Sequence, residues 1–275
     1  MEDRAHQKLV KERFSEIANE KISDKLTNVD VCPGGGKSRN VQLAINELDK
    51  ECLAAGLIWL VPRSSLAHQA RRTFNKNSGP FHLENIVSPL KDSWGYVSTY
   101  QKFISKKSNT YCHQIASKMS NRPGMVLLVL DELHHCSSDK RQAWTNGVEN
   151  LKKALIKKNI SFHVMSMTGT LFRGDGQPIL HIDYENGKAV SHIRYSLISG
   201  RAEGAVLPPE LIYVDGPVVI RQPSGKEKAY TSMINVPHTH SMKVRKAFLS
   251  GQISPKILDL NIEDSRQFTA LYLLN

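Results

Sequence analysis

The sequence predicts an α/β domain, a mostly parallel sheet covered by helices on both faces, followed by a smaller segment of β-hairpins and helices. Three observations carry that expectation. Short, near-continuous apolar runs recur between residues 25 and 170, and longer amphipathic stretches separate them. Strands apolar along their whole length suit a sheet buried on both faces, and helical crossovers join such strands. After Arg173 the texture changes to shorter runs punctuated by turn residues.

In chain order the expected strands are KLTNVDV (25–31), LIWLVP (57–62), WGYVST (94–99), MVLLVLDE (125–132) and FHVMSMTG (162–169). Residues 38–55, 64–75, 101–120 and 140–158 read as the helices between them. ILHIDYENGKAVSHIRY (179–195) has strand-like halves around Asn186-Gly187, a hairpin signal. ELIYVDGPVVIRQPSGKEKAY (210–230) reads as a second hairpin turning at Pro223-Ser224-Gly225. Beyond His238, SMKVRKAFLSG and IEDSRQFTALYLL read as helices separated by Ser254-Pro255. The expected division is a main domain over residues 1–175 and a connecting segment over 176–275.

The totals bound the function classes. A chain of 275 residues with 40% hydrophobic and 23% charged residues can build a real core. No apolar run approaches the roughly 20 residues of a membrane span. The charged start MEDRAHQKLVKERF has no apolar block, so a secretory signal and a membrane partner are not expected. Cys32, Cys52, Cys112 and Cys136 are scattered and read as reduced thiols in a cytoplasmic protein. The net charge of +11 favours a polyanionic partner, though excess lysine can also be merely solubilising.

VCPGGGKS (31–38) lies where a strand should end and a helix begin. Backbone N–H groups of a glycine turn at Gly34, Gly35 and Gly36, together with the helix N-terminus, suit a phosphate. Lys37 would reach the β- and γ-phosphates of ATP, and the Ser38 hydroxyl would ligate Mg²⁺. The pattern GxxxxGK[ST] wants a glycine where Val31 stands, so a plain glycine turn is the alternative. LLVLDELHHC (127–136) supplies the second half. Phosphoryl transfer needs one acid to hold Mg²⁺, a role for Asp131, and one group to orient or deprotonate water, a role for Glu132. Read alone, Asp-Glu could equally open the first turn of a helix.

DELH following GGGKS resembles the DExH form of the superfamily 2 helicases and translocases. PRSSLAHQ (62–69) resembles motif Ia, with Pro62, Arg63, Leu66 and Gln69 at matching places. VSTYQKF (97–103) resembles the motif whose threonine, here Thr99, touches the nucleic-acid backbone. SMTGTLFR (166–173) is similar to motif III, where Thr168 and Thr170 couple hydrolysis to strand movement. RAHQ (4–7) resembles the Q motif, which makes Gln7 the adenine reader, and His134 the link between the ATP site and the neighbouring domain. TYQ, DELH and TGTLFRGDG are closest to restriction-enzyme motor subunits and related DNA translocases.

The resemblance implies a RecA-like P-loop domain, ATP and Mg²⁺ as cofactors, and nucleic acid as partner, with DNA favoured over RNA. It also implies a second RecA-like domain or partner chain supplying arginine fingers through QxxGRxxR, a motif this sequence does not contain. A non-turnover ATP- or nucleic-acid-binding module docking on a partner is the other reading. An unrelated P-loop kinase would leave PRxxLxxQ, TYQ and TGT unexplained. Cys112-His113 and His134-His135-Cys136 fit no standard zinc spacing. Trp59 and Trp144 read as packing residues, and KKALIKKN (152–159) as a solvated helix face.

Overall fold

The computed structural model describes residues 3–206, apart from 78, 87–89, 106, 140–141, 172 and 174–175, together with the backbone of 218–221 and 227–230. The chain divides into two compact units, Met1–Leu207 and Pro208–Asn275. The first unit opens with helix α1 (Ala5–Ala18), strand β1 (Leu26–Val31), α2 (Lys37–Lys50), β2 (Ala54–Val61) and α3 (Ser64–Asn77). The short β3 (Leu83–Asn85) and β4 (Gly95–Thr99) lead into a 3₁₀ turn at Tyr100–Ile104 and then α4 (Ser108–Met119). Strand β5 (Met125–Asp131), a 3₁₀ turn at Leu133–His135, α5 (Ala143–Lys157) and β6 (Ser161–Thr168) follow. The unit closes with β7 (Asp183–Glu185), β8 (Lys188–Val190), β9 (Ile193–Tyr195) and α6 (Leu197–Ala202). In the second unit β10 (Val218–Arg221) pairs antiparallel with β11 (Glu227–Tyr230). The expected Pro223-Ser224-Gly225 turn and the two helices beyond His238 lie outside the described residues.

Seven strands form one sheet in the order β3-β4-β2-β5-β6-β1-β9, and every pairing in it is parallel. The alternation of side chains across each strand feeds two cores. Val29, Val31, Leu57, Trp59, Leu127, Val129, Met165 and Met167 meet α1, α2 and α3 on one face. Ile58, Leu60, Leu128, Leu130 and Val164 meet α4 and α5 on the other. This is the expected α/β sheet with helices on both faces.

Two features depart from the sequence expectation. The Asn186-Gly187 hairpin forms, with both residues at positive φ (50° and 74°) between the three-residue strands β7 and β8. Its expected second half does not end there: Ile193–Tyr195 leaves the hairpin and joins the main sheet beside β1. The expected helix over 101–120 is broken, a 3₁₀ turn separated from α4 by 105–107. Among the described residues no helix is long and apolar enough to cross a membrane.

Near the amino end of β1 and β6 lies a buried polar cluster. The Arg13 guanidinium donates to Thr27 Oγ1 (2.9 Å), so the Thr27 hydroxyl hydrogen goes to His163 Nε2 (2.9 Å), and His163 serves as an acceptor in its neutral form. Burial, with Arg13 adding to it, pushes the His163 pKa down to about 4. Burial likewise lowers His181 to about 4, with Lys152 contributing. These are bases with folded pKa values below the unfolded ones, so the unfolded chain binds more protons in acid. Their contribution is complete above the unfolded pKa near 6.5 and is lost as pH falls toward 4. Urea denaturation should show unfolding free energy falling by about 3 kcal/mol on account of His163 across that window. His163→Gln should flatten the profile, and an unchanged slope in the variant would assign the acid sensitivity elsewhere.

Candidate functional site

Strand β1 ends at Val31, and the glycine turn that follows is closed by Gly35 N–H donating to the Cys32 carbonyl (3.0 Å). Side chains are excluded from this turn. A Cβ on Gly35 would stand 2.5 Å from Val31 Cγ1 and 2.9 Å from the Cys32 carbonyl oxygen, while Gly36 holds φ +95° as the N-cap of α2. No side chain caps the amino end of α2, so its first N–H groups are left to the turn. Val31, the departure from the glycine pattern, is the fully buried last residue of β1, in register with Tyr195 of β9. The strand runs one residue further than the pattern asks, and the flexibility sits entirely in Gly34–Gly36.

Helix α1 supports the turn from beside it. Arg4 Nη1 donates to the carbonyls of Gly35 (2.9 Å) and Gly34 (3.3 Å). Gln7 is buried, accepts the Arg4 backbone N–H at Oε1 (2.9 Å), and has its Nε2 3.0 Å from where a Gly36 Cβ would stand. His6 stacks on Tyr195 (centroids 4.1 Å), and the Tyr195 hydroxyl donates to Glu203 (2.8 Å).

The acidic pair ends β5. Asp131 is the strand's last residue, and Glu132 follows with φ +51°, an uncommon conformation for a side-chain-bearing residue that reverses the chain at once. The Glu132 N–H donates to Asp131 Oδ1 (3.0 Å), and the Tyr100 hydroxyl donates to the Asp131 carbonyl (2.9 Å). Lys37 Nζ forms an ion pair with Glu132 Oε1, so the two sequence motifs meet in space. Burial pushes the Asp131 pKa up to about 6, Lys37 opposes that shift, and Glu132 adds to it.

Strand β6 lies between β1 and β5, so the glycine turn and the acidic pair sit on either side of Thr168, the last residue of β6. Thr168 Oγ1 donates to the Thr170 carbonyl (2.9 Å), accepts the Thr170 N–H (3.1 Å), and lies 2.9 Å from His134 Nδ1. The hydroxyl has one hydrogen and spends it on Thr170, which places a proton on His134 Nδ1 as the donor. Glu132 Oε2, 3.4 Å from the same nitrogen, is a second acceptor for it. Burial and the neighbouring His135 lower the His134 pKa, keeping the ring neutral. Asp30, in register with Thr168, is a nearly buried acid whose pKa burial raises and which Arg194 meets at 3.3 Å.

Arg63, Gln69 and Thr99 fall at the ends of the next two strands along the same edge. Thr99 closes β4 opposite Val61, Arg63 is exposed two residues beyond β2, and Gln69 is exposed on α3. Gln101 Nε2 donates to the Pro62 carbonyl (3.1 Å) and ties the two segments together. An aromatic series links this region to the acidic pair. Tyr100 stacks on Trp144 (5.1 Å, 10°), Trp144 meets His135 edge-on (5.7 Å), and His135 lies against His134 (4.1 Å). Trp94 packs on Phe74 and Phe81.

The structure thus gathers Lys37, Asp131, Glu132, His134, Thr168 and Thr170 in one cluster, with Ser38 in the first turn of α2, and sets Arg63, Gln69 and Thr99 beside it. Sequence reasoning missed Arg4, Tyr100 and Gln101 as supports. Their signal was present inside RAHQ and TYQ, but only the neighbouring residue in each motif was singled out. The donor set fits a magnesium nucleotide: a side-chain-free turn with open N–H groups, one lysine, one hydroxyl and two carboxylates.

Residues 1–173 match the family described as the type III restriction enzyme res subunit. An uncharacterized protein of Mycobacterium leprae (strain TN) is 23% identical over 205 residues, which cover 72% of this chain and 32% of the relative. The chain therefore spans about a third of that relative's length. Among solved structures, a nuclease-deletion mutant of the Type ISP restriction-modification enzyme LlaGI with a DNA substrate mimic has TM-score 0.47 and 16% identity, covering 74% of this chain and 21% of that one. The Sulfolobus solfataricus SWI2/SNF2 ATPase core in complex with dsDNA has TM-score 0.44 and 13% identity, covering 62% and 32%. The family match spans well over half of the sequence, and the protein belongs to the type III restriction enzyme res subunit family, within the superfamily 2 helicases that its motifs resemble.

Proposed function

We propose that this chain is the ATP-binding motor domain of a DNA translocase or helicase working in the cytoplasm, and that full turnover needs arginines from a second RecA-like domain or partner chain. The observation that carries the reading is the Lys37–Glu132 ion pair, which joins the glycine turn to the acidic pair across the end of β6. Gly34, Gly36 and the first residues of α2 bind the phosphates through backbone N–H groups, Gly35 closes the turn on the Cys32 carbonyl, and Gln7 and Arg4 fix it. Lys37 then exchanges its carboxylate partner for phosphate oxygens. That exchange frees Glu132 to orient an attacking water and take its proton. Ser38 and Asp131 are the residues that hold Mg²⁺, which when bound offsets the phosphate charge. His134 and Thr168, bonded to each other, report the state of Glu132 to the neighbouring domain, and Thr170 anchors Thr168.

Arg63, Gln69 and Thr99 grip one strand's phosphate backbone. Such contacts position without reading bases. Affinity for duplex or single-stranded DNA should fall steeply as salt rises and change little with sequence. A salt-insensitive preference for one sequence would contradict the assignment of these three residues.

ATP binding and hydrolysis by the purified chain, with and without DNA, test the central reading. Lys37→Ala should abolish nucleotide binding, whereas Glu132→Gln should bind ATP and lose hydrolysis. Without the arginines, turnover should lie about 10³- to 10⁵-fold below that of a complete motor. Fast, Lys37-dependent turnover by the monomer would refute the need for a second domain, and nucleotide binding indifferent to Lys37→Ala would refute the site.

A further inference from the structure

Trp59 sits on β2, only 1% exposed, in the core between the sheet and helices α1 to α3. Its register partner on β5 is Val129, so Asp131, two residues on, lies on the same face and one step nearer the carboxyl edge. The indole Nε1–H is buried and makes no hydrogen bond among the described residues. Asp131 is thus its diagonal neighbour across the β2–β5 pairing, within the span of an indole side chain. Among the described residues, the Glu132 N–H donates to that carboxylate, on Oδ1.

An indole N–H is a donor only, and a buried donor without an acceptor is costly. Phenylalanine would fill a similar apolar space with no such group. We infer that Trp59 is a positioning residue: its indole N–H orients the Asp131 carboxylate for the Mg²⁺ that accompanies a bound nucleotide. Hydrogen bonds to a ligating carboxylate fix its rotation and so set how well it receives a metal. The inference rests on the nucleotide reading of the site and adds a residue of the strand next to β5, outside the glycine turn and the acidic pair.

Two measurements test it. In the full chain, Trp59→Phe should leave the affinity for a non-hydrolysable ATP analogue in EDTA unchanged. It should also raise the Mg²⁺ concentration giving half-maximal enhancement of that affinity by about tenfold. Equal weakening with and without Mg²⁺ would mark Trp59 as a packing residue and overturn the inference, as would an unchanged Mg²⁺ dependence. In the second measurement Trp94→Phe and Trp144→Phe leave Trp59 as the only tryptophan, excited selectively over tyrosine, so the test survives if Trp59→Phe fails to fold. Trp59 emission should change when Mg²⁺ is added to the nucleotide-bound chain and not when nucleotide is added in EDTA, and silence in both would overturn the inference. Absence of Mg²⁺-dependent nucleotide binding in the unsubstituted chain would overturn the nucleotide reading and this inference with it. A normal response there, with an indifferent Trp59→Phe, would overturn this inference alone.

Discussion

Every strand of the seven-stranded sheet runs in the same direction, and that constraint places all seven carboxyl ends on one edge. Residues far apart in sequence become neighbours there with no further device. Val31, Val61, Thr99, Asp131 and Thr168 each end a strand, and the candidate site is built from what comes immediately after them. Strand order refines the arrangement. Because β6 separates β1 from β5, Lys37 and Glu132 reach toward each other past Thr168, and the Thr168 hydroxyl comes within bonding distance of His134.

The central strands were legible because burial on both faces makes them apolar along their whole length. β2, β5 and β6 carry such runs, and their registers match the expected segments. Edge elements leave a weaker trace. β3 and β9 are three residues long, held by a single neighbouring strand, too short for any periodicity to emerge. α1 was hidden by its charges, although Val10, Phe14 and Ile17 recur at helical spacing and are all buried. Within the site, residue types followed from phosphate and metal chemistry. Side-chain contacts that depend on how distant segments pack did not: the Arg4 guanidinium on the glycine carbonyls, Gln101 on the Pro62 carbonyl, and the series from Tyr100 to His134.

The energetics of the acidic pair explain why Lys37 matters beyond its reach to phosphate. Asp131 and Glu132 are adjacent carboxylates, and burial makes ionisation of Asp131 harder still. Lys37 opposes both effects. The Lys37–Glu132 pair is largely buried, with side chains 14% and 28% exposed, so the cost of desolvating both charges offsets much of their attraction. In the proposed mechanism an incoming phosphate replaces the Glu132 carboxylate as partner of Lys37, so the lysine is not left as an unpaired buried charge.

Thr99 and Tyr100 are consecutive, yet they face different tasks. Thr99 ends β4 at the exposed edge, while Tyr100 is buried, bonded through its hydroxyl to the Asp131 carbonyl and stacked on Trp144. One peptide unit joins Thr99 to Tyr100. Tyr100 touches the end of β5 directly, and ring contacts through Trp144 and His135 lead on to His134. Tyr100 is buried in this series, Trp144 is half-buried and His135 is exposed. Two short routes of rigid groups, one hydrogen-bonded and one stacked, converge on Asp131 and His134. Coupling between the two sites requires that these groups have two discrete arrangements. Glu132 stands where these groups meet: its carboxylate is shared by Lys37 and His134, and its backbone holds a left-handed conformation.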